Sequence, residues 1–145
     1  MNNKLINSKS TTRATGSCAC GEIRFQIMGK LRNVFNCHCD PCRRFTGHFM
    51  AATATETENL VIDSKETLVW WQRTPTVSYG FCSKCGSSLF WKASDKSEII
   101  SILAGSLNIP TELTTTLAVY SDDASDYHQL DLSIRTTRQN APELA

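Results

Sequence analysis

Seven cysteines arranged in three short clusters constrain this chain more than any other feature. The segment CHCDPC places Cys37, Cys39 and Cys42 within six residues, GSCACG supplies Cys18 and Cys20, and FCSKCGSS supplies Cys82 and Cys85. An odd total leaves a thiol over from any disulfide scheme. The clusters have the spacing of metal ligands rather than of scattered apolar thiols. The polar start, MNNKLINSKSTTRATGS, lacks the apolar stretch of a secretory signal, so a reducing cytoplasmic setting is expected, where cysteines serve metal binding or catalysis.

The pair in FCSKCG is a zinc-knuckle pattern. Two intervening residues let a turn bring both sulfurs to one ion, and Gly86 suits a positive φ after the second cysteine. In GSCACG an extended chain would point residues 18 and 20 to the same side, with Gly21 free to turn close to the metal. Each pair supplies half of a tetrahedral set. We therefore expect a closed structural zinc on Cys18, Cys20, Cys82 and Cys85, coupled to folding.

Cys37, Cys39 and Cys42 remain, with no eighth cysteine. His38 lies between two ligands and should point away. His48, six residues beyond Cys42, and the distant His128 are the candidates for closing the site. The preferred reading leaves the fourth position open to substrate. Zinc on three thiolates carries a net charge near −1, poor for activating water and suited to a soft substrate sulfur. Making or breaking a carbon–sulfur bond in a small thiol adduct is the reaction class this implies.

Around these clusters the chain reads as short strands. EIRFQI alternates, with Ile23, Phe25 and Ile27 on one face. NLVID, ETLVWWQ, TVSYGF, SSLFWK, SEIISILAG and TTTLAVY are rich in the β-branched and aromatic residues that strands favour. DPCRRFTG predicts a helical turn from Pro41, capped by Asp40 and stopped by Gly47. The organisation expected is a polar leader over 1–13, one zinc-binding β domain over 14–137 and a frayed tail over 138–145.

GSCACGEIRF, CHCDPCRRFTG, FCSKCGSSLF and ILAGSLN, in that order over residues 14–110, resemble the glutathione-dependent formaldehyde-activating enzyme family. The resemblance implies a mainly-β fold, a β-tent of packed antiparallel sheets. It implies a structural zinc on the four cysteines above and a catalytic zinc on Cys37, Cys39 and Cys42. The activity implied is the condensation of formaldehyde with glutathione, classed as a carbon–sulfur lyase. The chain departs from the family pattern at Asn108, where an aspartate is usual, at His48, where a small residue is usual, and at Leu117, Asp123 and Asp126. These departures touch the thiol pocket and leave the ligands intact.

Arg43 and Arg44 are candidates for holding substrate carboxylates, with a solvated surface pair as the plainer alternative. His48 is a candidate substrate contact and proton carrier. Arg73 and Lys84 have less support. Thr46 and Gly47 close the turn. Trp70, Trp71, Trp91 and Phe90 are expected in the core, and Glu56, Glu58 and the SDDASD segment in solvent.

The whole predicts a two-zinc enzyme acting on glutathione or a related thiol, with a homodimer compatible. Net charge is +1 and no run approaches the ~18 apolar residues of a membrane span, so neither nucleic acid nor membrane is expected as a partner. Two alternatives compete: a non-enzymatic binding module with both zincs structural, and a thiol redox or metal sensor.

Overall fold

The computed structural model describes residues 11–140. Residues 1–10 of the expected leader and 141–145 of the expected tail lie outside them. Eleven strands and one α-helix appear in the order β1 (Ala14–Ser17), β2 (Arg24–Ile27), β3 (Val34–Cys37), α1 (Asp40–Thr46), β4 (Met50–Glu56), β5 (Leu60–Ser64), β6 (Leu68–Gln72), β7 (Val77–Cys82), β8 (Ser88–Ala93), β9 (Ile99–Leu103), β10 (Thr115–Val119) and β11 (Arg135–Thr136).

The strands form a small sheet, β1-β2-β5, and a large one, β11-β10-β3-β4-β9-β8-β7-β6. Pairing is antiparallel except at one edge, where β10 runs parallel to both β3 and β11. The fold is mainly β, as the sequence patterning implied, and of packed antiparallel sheets, as the family resemblance implied.

Alternation explains the core. Phe25 and Ile27 of β2, with Ile23 just before it, are almost fully buried while Arg24 is exposed. They pack on Phe90 of β8 and on Ile100 and Ile102 of β9, with Phe25 edge-on to Phe90 at 5.2 Å. Of the alternate residues of β9, Ile99 and Ser101 face a cavity on the far side of the large sheet, and Leu103 packs beside Cys42 and Met50. One strand thus serves the core with one parity and the cavity with the other.

Strands β3 and β4 carry no strong pattern. MAATATE is built of small residues because β4 is covered on both faces: Ala52, Thr53, Ala54 and Thr55 are all buried. The Thr53 and Thr55 hydroxyls donate to the carbonyls of Arg32 and Lys30, anchoring the segment that leads into β3.

At the ends of the described chain, Arg13 donates to the carbonyls of Ile27 (2.7 Å, backbone) and Thr111 (2.8 Å, side chain), and Arg138 pairs with Asp122 at 2.6 Å. No helix among the described residues is long and apolar enough to cross a membrane.

Candidate metal centres and thiol cavity

The four-cysteine cluster is built from two turns facing one another. After β1, Gly21 N–H donates to Cys18 O (3.1 Å) with Gly21 at φ +80°. Between β7 and β8, Gly86 N–H donates to Cys82 O (2.8 Å) with Gly86 at φ +78°. Cys18 and Cys20 therefore sit on a turn, not on an extended C-x-C as their spacing suggested. Positive φ at both glycines explains the choice of residue, since a Cβ there would be strained. A hydrogen bond from Ala19 N–H to Ser87 Oγ (2.9 Å) joins the turns.

The four sulfurs lie within 4.8 Å of one another. Cys18 to Cys20 is 3.5 Å and Cys20 to Cys82 is 3.8 Å. Zinc–sulfur bonds of ~2.3 Å at tetrahedral angles put sulfurs about 3.8 Å apart, so the donor set fits a zinc ion. A disulfide needs ~2.05 Å. The backbone N–H of Ile23 donates to Cys18 Sγ (3.2 Å), and Thr67 Oγ1 lies 3.3 Å from Cys82 Sγ. Such contacts are suited to sulfur that carries charge.

The second cluster follows from the end of β3 and the start of α1. Cys37 is the last strand residue, Cys39 is the helix N-cap and Cys42 lies in the first turn. Their sulfurs also lie within 4.8 Å, with Cys37 to Cys39 at 3.4 Å. Three thiols this close cannot all ionise on their own. Hydrogen bonds from Cys37 and Cys42 hold Cys39 down at about 3. Cys37 is pushed far above the thiol range by Cys39 and Cys42. For Cys42 the lowering bond from Cys37 is outweighed by Cys39 and burial, and it rises to about 12. A divalent cation removes this conflict, because a coordinating thiol is deprotonated outright. Tyr79, 1% exposed, has its hydroxyl 3.4 Å from Cys42 Sγ. Burial, then Cys42, push the phenol above its ordinary value, so it stays protonated and can donate to the sulfur.

No histidine nitrogen or carboxylate oxygen of the described residues joins this trio. His38, 2% exposed, points away and stacks against His128 and Phe49. His48 packs on Phe49 and His128, and its Nδ1 is 3.0 Å from Tyr127 Oη. All three histidines gather in one aromatic cluster.

The trio opens instead on a cavity of about 500 Å³. Its walls come from alternate residues of neighbouring strands, including Phe35, Met50, Val77 and Trp91, with Arg32, Arg73, Lys96, Glu98, Ser101, Tyr120 and Asn140 as polar members. Arg43, Arg44 and His48 lie outside this lining. Arg43 and Arg44 both bind Asp40, at 2.7 and 3.1 Å. Asp40 is thus the first helical residue rather than the cap, and its spacing to the two arginines, i+3 and i+4, is the sequence signal for this pairing. Lys84 pairs with Glu22 at 2.9 Å, away from the cavity. Of the aromatics expected in the core, Phe90 is fully buried and Trp70 packs against it. Trp71 is 46% exposed, beside Tyr79 and Phe45. Trp91 is a cavity wall, which only its register opposite Tyr79 and Ser101 reveals.

A search of curated proteins finds no match. Among solved structures, a crystal structure of a Rhodobacter sphaeroides protein is similar at TM-score 0.57 and 24% identity, covering 70% of this chain and 99% of its own, which supports the fold. A family model described as glutathione-dependent formaldehyde-activating enzyme matches residues 13–123. That span includes every cysteine of both clusters and most of the cavity wall, and the chain belongs to the glutathione-dependent formaldehyde-activating enzyme family.

Proposed function

We propose that this protein is a zinc-dependent carbon–sulfur lyase acting on a small adduct of a thiol, glutathione or a relative, with formaldehyde or another aldehyde. The observation that carries the reading is the three-sulfur cluster of Cys37, Cys39 and Cys42, which faces a roomy cavity and has no fourth side-chain ligand among the described residues. Family membership supplies the glutathione and aldehyde frame. The metal, the lyase class and the roles below belong to the proposal.

Cys37, Cys39 and Cys42 would hold the catalytic zinc, and Cys18, Cys20, Cys82 and Cys85 the structural one. Zinc at the open site supplies a Lewis-acidic seat for a thiolate sulfur. Tyr79 donates to Cys42 Sγ and so restrains the charge on that ligand. Phe35, Met50, Val77 and Trp91 keep bulk water from the reacting carbon. The substrate sulfur adds to the aldehyde carbon, the carbonyl pair moves to oxygen, and that oxygen takes a proton. Ser101 and Tyr120 are the neutral hydroxyl donors of the lining for this oxygen. The reverse sequence breaks the carbon–sulfur bond. His48, bonded to Tyr127 and outside the lining, has no part in this scheme.

Native mass spectrometry of the purified protein, with glutathione titrated in, tests the reading. Two zinc ions per chain and a glutathione adduct that disappears in Cys39→Ala are expected. His48→Ala should retain both ions. Two ions with no thiol adduct would sink the enzyme reading, and loss of one ion in His48→Ala would mean a closed site.

A further inference from the structure

The cavity contains a charge that the scheme above leaves without a partner. Arg32 lies just before β3, and its guanidinium stacks on Phe35, 3.7 Å from the ring centre. Both its backbone groups are tied to β4: its N–H donates to Ala54 O at 2.9 Å, and its carbonyl accepts the Thr53 hydroxyl. The side chain is held too. Nη2 donates to Ala52 O (2.9 Å) and Nε to Asn33 O (3.2 Å). Those bonds use two of the five N–H donors an arginine carries and leave three.

Both acceptors are neutral carbonyls. No carboxylate of the described residues pairs with Arg32, although Arg43, Arg44 and Arg138 each have an aspartate. Glu98 belongs to the same lining, yet it is exposed and forms no ion pair with Arg32. Arg32 is half-buried, and this burial pulls the guanidinium down to about 10, so it is partly desolvated and still charged at neutral pH. A desolvated charge without a counter-ion is costly. An anion supplied by a ligand removes that cost.

Position defines the ligand further. Phe35 and Cys37 are two residues apart on the cavity face of β3, a spacing of about 7 Å along a strand. An anion resting on Arg32 therefore stands about one strand repeat from the thiol end. That suits a carboxylate joined to a thiol through a short peptide-sized linker. The planar guanidinium fork matches a carboxylate.

We propose that Arg32 binds a carboxylate of the substrate, so that the cavity selects thiols carrying one. The sulfur end of this inference rests on the thiol reading above; the anion end does not.

Calorimetric titration of the metal-loaded protein with three probes separates the two. Glutathione carries thiol and carboxylates. The tripeptide γ-glutamyl-alanyl-glycine keeps the carboxylates and lacks sulfur. 2-Mercaptoethanol keeps the thiol alone. Arg32→Met should weaken both carboxylate probes by about 10- to 100-fold and leave 2-mercaptoethanol unchanged. Arg32→Lys should recover part of the loss, because it keeps the charge without the fork. Unchanged binding of the carboxylate probes in Arg32→Met, or equal weakening of all three, overturns the proposal. Arg32-dependent binding of the sulfur-free tripeptide with no thiol binding would support the anchor and sink the thiol reading. Arg32 also braces β4, so thermal midpoints are measured alongside. Should Arg32→Met not fold, Arg32→Lys carries the test, and undiminished binding of both carboxylate probes there overturns the proposal.

Discussion

Replacing Cys82 with alanine tests whether the four-cysteine cluster is a staple and the three-cysteine cluster is not. The sulfurs of Cys20 and Cys82 are 3.8 Å apart across 62 residues of chain. A link closing a loop of that length removes unfolded-state entropy worth about 4 kcal/mol. Cys37 and Cys42 are only five residues apart, and the same relation gives about 2 kcal/mol for that loop. Cys82 is fully buried, so losing its sulfur adds about 1 kcal/mol of packing. For a chain of this size each kcal/mol moves the melting point by roughly 2–4 °C. Differential scanning calorimetry of zinc-loaded protein should therefore show Cys82→Ala melting about 10–20 °C below wild type, and Cys39→Ala about 4–8 °C below. A chelator should cost wild type both contributions and Cys82→Ala only the smaller one. Equal drops in the two variants, or a larger one in Cys39→Ala, would refute the argument from loop length.

Other expectations concern single contacts. Tyr79→Phe removes the hydroxyl beside Cys42 Sγ while leaving the ring packed on Phe45; stability should fall by about 1 kcal/mol and a chelator should strip metal from the proposed Cys37, Cys39 and Cys42 site faster, whereas an unchanged release rate would mean the contact is inert. Gly47 ends α1 at φ +87° with open space where a Cβ would stand, so Gly47→Ala should cost only the conformational strain, about 1–2 kcal/mol in a urea melt. Asp131 accepts hydrogen bonds from Ser133 Oγ (2.6 Å) and Ser133 N (2.9 Å), which hold its carboxyl below the ordinary 3.8. Its native form thus binds a proton less readily than the unfolded one, and the stability this provides is present above about pH 4 and lost as pH falls through the native value. Ser133→Ala should move the Asp131 midpoint in an NMR titration up toward 3.8, and an unmoved midpoint would assign the shift elsewhere.

The members of each cysteine cluster were legible as partners because they are close in sequence, whereas the meeting of Cys20 with Cys82 spans 62 residues and needs the fold. Two turns and one helix start bring Cys18 to Cys20, Cys82 to Cys85, and Cys37 to Cys39 and Cys42 by local backbone geometry, and Gly21, Gly47 and Gly86 mark the positive-φ positions that geometry requires. The strands with alternating or aromatic patterns were legible for the same reason. Strand β4 was not, because a strand buried on both faces between close neighbours is selected for small size rather than alternation. The arginines beside the cysteines in sequence, Arg43 and Arg44, turned to Asp40 on their own helix.

By itself the sequence determined the three cysteine clusters, the β character and the chemistry that three clustered thiols permit, all consequences of residue type and short-range spacing. Only the tertiary structure decided what surrounds the open trio. Arg32 and Trp91 reach the cavity, and Tyr79 reaches Cys42 Sγ, from three different parts of the chain, placed by the register of β3, β4, β7, β8 and β9. The histidines that might have closed the trio went to an aromatic cluster with Phe49 and Tyr127. Register depends on long-range pairing of strands, and one residue of slip would turn every one of these side chains to the other face.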